Sequence, residues 1–242
     1  MKLISLLTFS LLISCCDFIS IGSTNKTYIT ITFDDANESV YENALPIMNE
    51  FGFRATNVIN TARISHEHYL TWEQVEELEF EYGWETAGHT LHHVNLPEVS
   101  LEVAEYEIKN DWQNLVDHNL SHETFVLPFG HATEEQFEII LKYYKNIRTS
   151  RDLQMFTPIN RKYLGYFAYK TEYQPQNMIS RILQGIDNRE SLLILGFHTI
   201  KENPGGWSTN CKPQDFQEIM QFIYDNNFEV ITIKEACEML SW

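Results

Sequence analysis

The stretch TYITITFDDANES, Thr27 to Ser39, carries an alternating apolar pattern straight into two carboxylates, Asp34 and Asp35. Like charges side by side repel, so the pair calls for a positive partner. A second cluster, GHTLHH, holds His89, His92 and His93, and His198 closes the apolar run SLLILGFH. His89 and His93 are four apart, and on a single helical turn both imidazoles would point the same way. His92, three from His89, would also serve. Two neutral imidazoles and one carboxylate form a three-ligand metal site with an open position for water, the arrangement of catalytic zinc. The cation would hold one aspartate and offset the repulsion on its neighbour, leaving the second aspartate free to act as a base. Each feature alone has a plainer explanation. Histidines in loops are commonly solvated, Asp35 or Asn37 could cap a helix starting near Glu38, and His198 could simply close a buried strand. In combination the clusters explain one another, on one condition: the chain must bend at Asp34–Asp35, because consecutive strand residues face opposite sides.

Elements that could gather these residues alternate along the chain. Strand patterns are YITITF, ATNVI, WETAG, TFVLP, NIRT, YLGYFAY, SLLILGF and FEVITI. Helical patterns lie between them: ESVYENALPIMNEFG, TWEQVEELEFEYG, SLEVAEYEIKNDWQNLVDH, TEEQFEIILKYYK and PQDFQEIMQFIYDNN. Thr71 with Gln74, Ser100 with Val103 and Thr133 with Gln136 are helix-start signals, and Gly52 and Gly83 sit where helix C-terminal glycines belong. Alternation of this kind predicts βα units around a mostly parallel sheet, and seven or eight such units suit a (β/α) barrel in a single domain. In a barrel, function gathers where strands run out into loops. Asp34 and Asp35, His89, Phe129 and His198 all stand at such places.

With 242 residues and 43% apolar content, the chain has material for one full-sized core. Its formal charge of −17 excludes the basic face that nucleic acid requires and disfavours adhesion to anionic lipid, so a neutral or cationic substrate is expected. The opening MKLISLLTFSLLISCC has a minimal positive start at Lys2 and an apolar stretch, Leu3 to Ile13, too short to span a bilayer. Its end resembles a bacterial lipobox with Cys15 as the lipidated residue. Residues 1–15 are therefore expected to be a lipoprotein-type signal, 16–26 a flexible tether, and 27–242 the catalytic domain. An exported protein held to a bacterial envelope membrane only by lipid follows, and it is expected to be monomeric. Cys211 and Cys237 remain for the domain. Cys237 lies in a short helical pattern as a buried apolar residue, and no disulfide is expected.

The motifs TFDD, HTLHH, LPFG and LGFH, in this order, resemble those of the polysaccharide deacetylases, metal-dependent carbohydrate esterases that include chitin and peptidoglycan deacetylases. The resemblance covers roughly residues 27–235, and WETAGHTLHHVNL is its most diagnostic stretch. It implies a distorted (β/α) barrel and hydrolytic removal of acetyl groups from an N-acetylated glycan. It further implies Asp34 as the base and Asp35, His89 and His93 as ligands of a divalent ion, with Zn2+ expected. His92 becomes a bystander, and His198 corresponds to the general acid. Leu195 corresponds to the residue lining the acetyl-methyl pocket. Phe129 falls where the family uses a tyrosine whose backbone N–H stabilises the oxyanion. Two departures stand out. Val126 replaces the arginine that orients the base, for which Arg148 or Arg151 could substitute, and the aspartate and tryptophan that tune the acid have no clear counterpart unless Asp152 serves. Trp207, in NPGGWSTN, could stack on a sugar or pack over the barrel mouth. An O-acetyl esterase acting on a polysaccharide such as xylan is the neighbouring reading. A glycan-binding surface lipoprotein without turnover is the other.

Overall fold

Apolar alternation becomes a curled parallel sheet. The strands, in chain order, are β1 (Tyr28–Phe33), β2 (Thr56–Ile59), β3 (Glu85–Gly88), β4 (Thr124–Val126) and β5 (Asn146–Arg148). They continue with β6 (Phe167–Ala168), β7 (Leu192–Phe197), β8 (Thr199–Ile200), β9 (Asn210–Cys211) and β10 (Glu229–Val230). Helices follow most strands: α1 (Leu45–Glu50), α2 (Trp72–Phe80), α3 (Leu101–Asp117), α4 (Glu134–Ile140), α5 (Pro175–Asp187), α6 (Pro213–Asp225) and α7 (Ile233–Leu240). These elements belong to a computed structural model describing residues 26–206 and 208–241. The expected signal peptide, nearly all of the tether, Cys15 and Trp207 lie outside the described residues.

The main sheet runs β5-β4-β3-β2-β1-β7-β6, with every pairing parallel. One edge of β1 pairs along its length with β7. The other is shared, with β10 beside Tyr28 and Ile29 and β2 beside Thr32 and Phe33. The outer strands approach each other through the segment before β6. Ile147 N–H donates to Arg161 O at 2.7 Å, Leu164 N–H to Ile147 O at 2.9 Å, and Thr149 N–H to Leu164 O at 3.0 Å. This segment runs along the free edge of β5 before the chain crosses to β7, giving a distorted barrel. It also explains why YLGYFAY yields only a two-residue strand: its first half serves the seam.

Strand period two sorts the side chains. Ile29, Ile31 and Phe33 join Leu193, Leu195 and Phe197 in the helix-facing core, where Phe33 stacks on Trp84 with centroids 5.4 Å apart. The opposite face carries Thr30, Thr32 and Asp34 and, on neighbouring strands, the small cluster Val58, Ala87 and Val126. The barrel interior is thus narrow and partly polar.

The helix starts fall where the sequence signals them. Thr71 and Thr133 form complete capping boxes with Gln74 and Gln136, and Ser100 Oγ accepts the Val103 N–H. Gly52 and Gly83 take left-handed φ of 68° and 69° after α1 and α2. One helix differs from expectation. The pattern over 38–52 divides into a π turn, Val40–Ala44, and the short α1, with Leu45 N–H bonding back to Val40 O. Pro46 has no N–H to donate to the previous turn, and the wider turn accommodates it. Cys211 on β9 and Cys237 on α7 are both buried free thiols.

Candidate active site

Asp34 ends β1 without leaving it: its N–H still donates to Phe197 O on β7 at 2.9 Å. The bend comes next, with Asp35 at φ 72° and Ala36 at φ 53°. Left-handed geometry at two successive non-glycine residues turns the chain so that both carboxylates face one cleft. Asn37 takes up the capping role, its Oδ1 accepting from Ser39 N–H at 3.1 Å and Ser39 Oγ–H at 2.7 Å.

His89 and His93 do converge, though not on a helix. Residues 89–95 form an irregular loop with Thr90 at φ 61° and His93 at φ 62°. Helical spacing alone therefore gives the wrong local structure. Two acids of α3, one turn apart on its buried face, grip the loop from behind. Asp111 Oδ2 accepts the His89 N–H at 2.9 Å, and Glu107 accepts the His92 N–H and ring at 2.8 Å each. His92 thus faces away from the two aspartates. His89 Nδ1 lies 2.8 Å from Val126 O, which can only accept, so this nitrogen carries the proton and Nε2 offers its lone pair to the cleft.

Asp35 Oδ1 lies 3.5 Å from His89 Nε2 and 3.3 Å from His93 Nε2. One ligand atom from each of the three residues falls within 4.8 Å of the others. Asp35 Oδ1 is buried and makes no hydrogen bond. Burial works against the Asp35 charge, but the His89, His198 and His93 rings outweigh it and hold the carboxyl well below the usual carboxylate range. Burial and the neighbouring His89 push the His93 imidazole down to about 4, leaving it neutral at pH 7. One anionic oxygen and two neutral imidazoles around an unsatisfied centre fit a divalent cation.

Asp34 stands beside this triad with a partner from β5. Arg148 Nη2 donates to Asp34 Oδ2 at 2.5 Å, with Arg148 only 1% exposed. Arg148 lies directly across the β4–β5 ladder from Val126, so the cationic side chain enters the barrel one strand over. Of the two arginines that could substitute, Arg148 is the one that reaches Asp34, whereas Arg151 lies past the strand end and is exposed. Asp34 Oδ1 is buried and unpartnered. His198 Nε2 lies 4.0 Å from an oxygen of each aspartate, and its Nδ1 is buried without a hydrogen-bond partner among the described residues.

These groups share a cleft of about 410 Å³ with Phe129, Tyr166 and Ala168. Phe129 is 57% exposed at φ 57°, and its ring meets His93 edge-on at 4.8 Å. Two expected residues are elsewhere. Leu195 is fully buried in the helix-facing core, because strand alternation puts it on the face opposite His198. Asp152 pairs with Arg181 at 2.8 Å, which also holds Glu190 at 3.0 Å, so Asp152 does not tune His198. Ser208 and Thr209, which follow Trp207, line the cleft. Sequence reasoning missed Glu107, Asp111 and Tyr166. The first two had a signal, acids at core positions of α3 between Ala104, Ile108 and Leu115.

The chain is similar to known proteins. YxkH of Bacillus subtilis is 29% identical over 137 residues, covering 53% of this chain and 48% of that one. The poly-beta-1,6-N-acetyl-D-glucosamine N-deacetylase of Staphylococcus aureus is 25% identical over 156 residues, covering 59% and 54%. The chain thus spans about half the length of these relatives. A family 4 acetyl xylan esterase from Clostridium thermocellum, solved with a cobalt ion, superposes with a TM-score of 0.61 at 12% identity, covering 87% and 89%. Residues 21–144, which carry the aspartate pair, the histidine loop and the LPFG turn, match the profile of one family throughout, and the chain is a member of the polysaccharide deacetylases.

Proposed function

We propose that this protein is a metal-dependent hydrolase that removes acetyl groups from an N-acetylated glycan. The observation that carries the reading is Asp34, clamped by Arg148 at 2.5 Å directly beside the Asp35–His89–His93 triad. A divalent cation held by that triad would supply Lewis-acid polarisation of the acetyl carbonyl and a water acidic enough to react at neutral pH. The chain's own groups account for the remaining steps. Arg148 fixes one Asp34 oxygen and leaves Oδ1 free to take the proton of the attacking water as the new C–O bond forms. Phe129 N–H stabilises the tetrahedral oxyanion. His198, across the cleft, gives a proton to the departing nitrogen as the C–N bond breaks, since an unprotonated amine leaves poorly. The relative acting on poly-beta-1,6-N-acetyl-D-glucosamine supports an amide substrate.

Acetate release from N-acetylglucosamine oligomers and acetylated xylan tests this. Release should stop with chelator, return with Zn2+ and fall by orders of magnitude in Asp34→Asn. No release from any of these glycans despite bound metal would favour a glycan-binding protein without turnover. One observation favours ester cleavage as a second reading: among the described residues His198 Nδ1 has no partner to strengthen its acid role, and an alkoxide leaves with less help than an amine. Faster turnover of acetylated xylan than of the amides would select it.

We further infer export to a bacterial envelope with a lipid on Cys15, residues 16–26 acting as tether and the domain working as a monomer. The apolar leader ending in Leu-Ile-Ser-Cys supports this.

A further inference from the structure

Tyr166 belongs to no role given so far, yet it lines the cleft. The Arg148 guanidinium carbon lies 3.7 Å from the centroid of the Tyr166 ring, over its face. That same guanidinium donates to Asp34 from its Nη2, and Arg148 and Tyr166 are only 1% and 6% exposed. The backbone brings the two together. Leu164 bridges to Arg148 along the barrel seam, and Tyr166 N–H donates to Arg151 O at 2.8 Å, setting Tyr166 beside the end of β5. On its far side the ring occupies the space that a side chain on Gly196 would fill. A Cβ at Gly196 would come within 1.7 Å of the ring and 2.3 Å of its hydroxyl. Gly196 is on β7, two residues before His198 and on the same strand face.

The physical problem at this site is a buried guanidinium that must hold one orientation. Among the described residues its Nε has no hydrogen-bond partner, so the hydrogen bond to Asp34 alone leaves it free to pivot. An aromatic face satisfies a planar cation from the side, keeps water out beneath it and restricts rotation. Burial, with Asp34 nearby, keeps the phenol protonated, so Tyr166 adds no charge of its own.

We propose that Tyr166 is a positioning residue for the base: its ring is the platform that holds Arg148 against Asp34, and Gly196 is the gap in β7 that admits it. The proposal rests on Asp34 acting as the base. It goes further in assigning a base-orienting unit of three residues, one of them aromatic.

The test uses the full chain loaded with Zn2+ and whichever acetylated glycan above the wild type turns over fastest. Tyr166→Leu should lower kcat about tenfold or more with KM nearly unchanged, and Tyr166→Phe, which keeps the platform, should restore most of the rate. If Tyr166→Leu does not melt cooperatively, Tyr166→Met replaces it. Added guanidinium should partly rescue Arg148→Ala, and the rescue should disappear in Arg148→Ala/Tyr166→Leu. Independently of turnover, the Arg148 side-chain Nε–H resonance should show a ring-current shift that survives Tyr166→Phe and is lost in Tyr166→Leu. Equal rates for the Leu and Phe variants, rescue indifferent to Tyr166, or an unshifted resonance would overturn the proposal and leave the deacetylase reading standing. Absence of wild-type acetate release from every substrate would overturn that reading and the base-positioning role with it.

Discussion

Arg148 and Asp34 form an ion pair almost entirely out of water, which makes each unusually dependent on the other. Removing one member of such a pair leaves an uncompensated buried charge and costs about 3–5 kcal/mol. Arg148→Met is therefore expected both to lower the urea midpoint and to reduce kcat. Asp34→Asn keeps the shape but loses the proton acceptor. It should reduce acetate release by about 10²–10⁴-fold while calorimetry still detects Zn2+ binding at the triad. Equal loss of metal binding in Asp34→Asn would instead make Asp34 a ligand. Phe129 supplies its backbone rather than its ring in the proposed chemistry, so Phe129→Ala should retain measurable turnover.

Among the elements, α3 contributes most to the site without entering the cleft. Asp111 accepts from the His89 N–H, from Thr61 N–H and Oγ–H, and from Tyr144 Oη–H. An amide in its place would set a donor against donors. Asp111→Asn should weaken Zn2+ affinity by about 10–100-fold in a competition titration, as removal of the support behind a metal ligand does elsewhere. Unchanged affinity would reduce Asp111 to a packing residue. At the opposite end of the barrel, Glu85 is buried and its Oε2 accepts from Thr56 Oγ–H and from the Lys234 N–H of α7. Burial pushes its carboxyl up from 4.5 to about 7. Below pH 4.5 the group is protonated whether the chain is folded or unfolded. As pH rises towards 7 the unfolded chain releases the proton first, so stability falls across that window and levels off above it. Glu85→Gln removes this titration and should be the more stable form at pH 8, by roughly 3 kcal/mol, with the advantage lost at pH 4. Urea melts of both proteins at the two pH values measure it.

On the scale of the whole molecule, the charge of −17 is compatible with the reaction proposed above, in which a neutral polymer becomes cationic as acetyl groups leave. Among the described residues no helix is long and apolar enough to cross a membrane. The proposed membrane attachment runs through a lipid on Cys15. Cys15→Ser should move the protein from the membrane to the soluble fraction with acetate release unchanged, and unaltered partitioning would remove the anchor from the account.

The sequence alone determined which residues could hold a metal, that a bend must fall at Asp34–Asp35, and that βα units would carry them on a parallel sheet. Each of these rests on local rules: residue chemistry, the two-residue period of a strand, the capping of a helix by its own neighbours. Tertiary structure decided what depends on which strands lie side by side. Only the β4–β5 register brings Arg148 into the barrel opposite Val126, and only the seam along β5 lays Tyr166 beneath it. It also turned the histidine pair into a loop gripped by α3 and sent Leu195 into the core, because packing between distant segments overrides spacing within one.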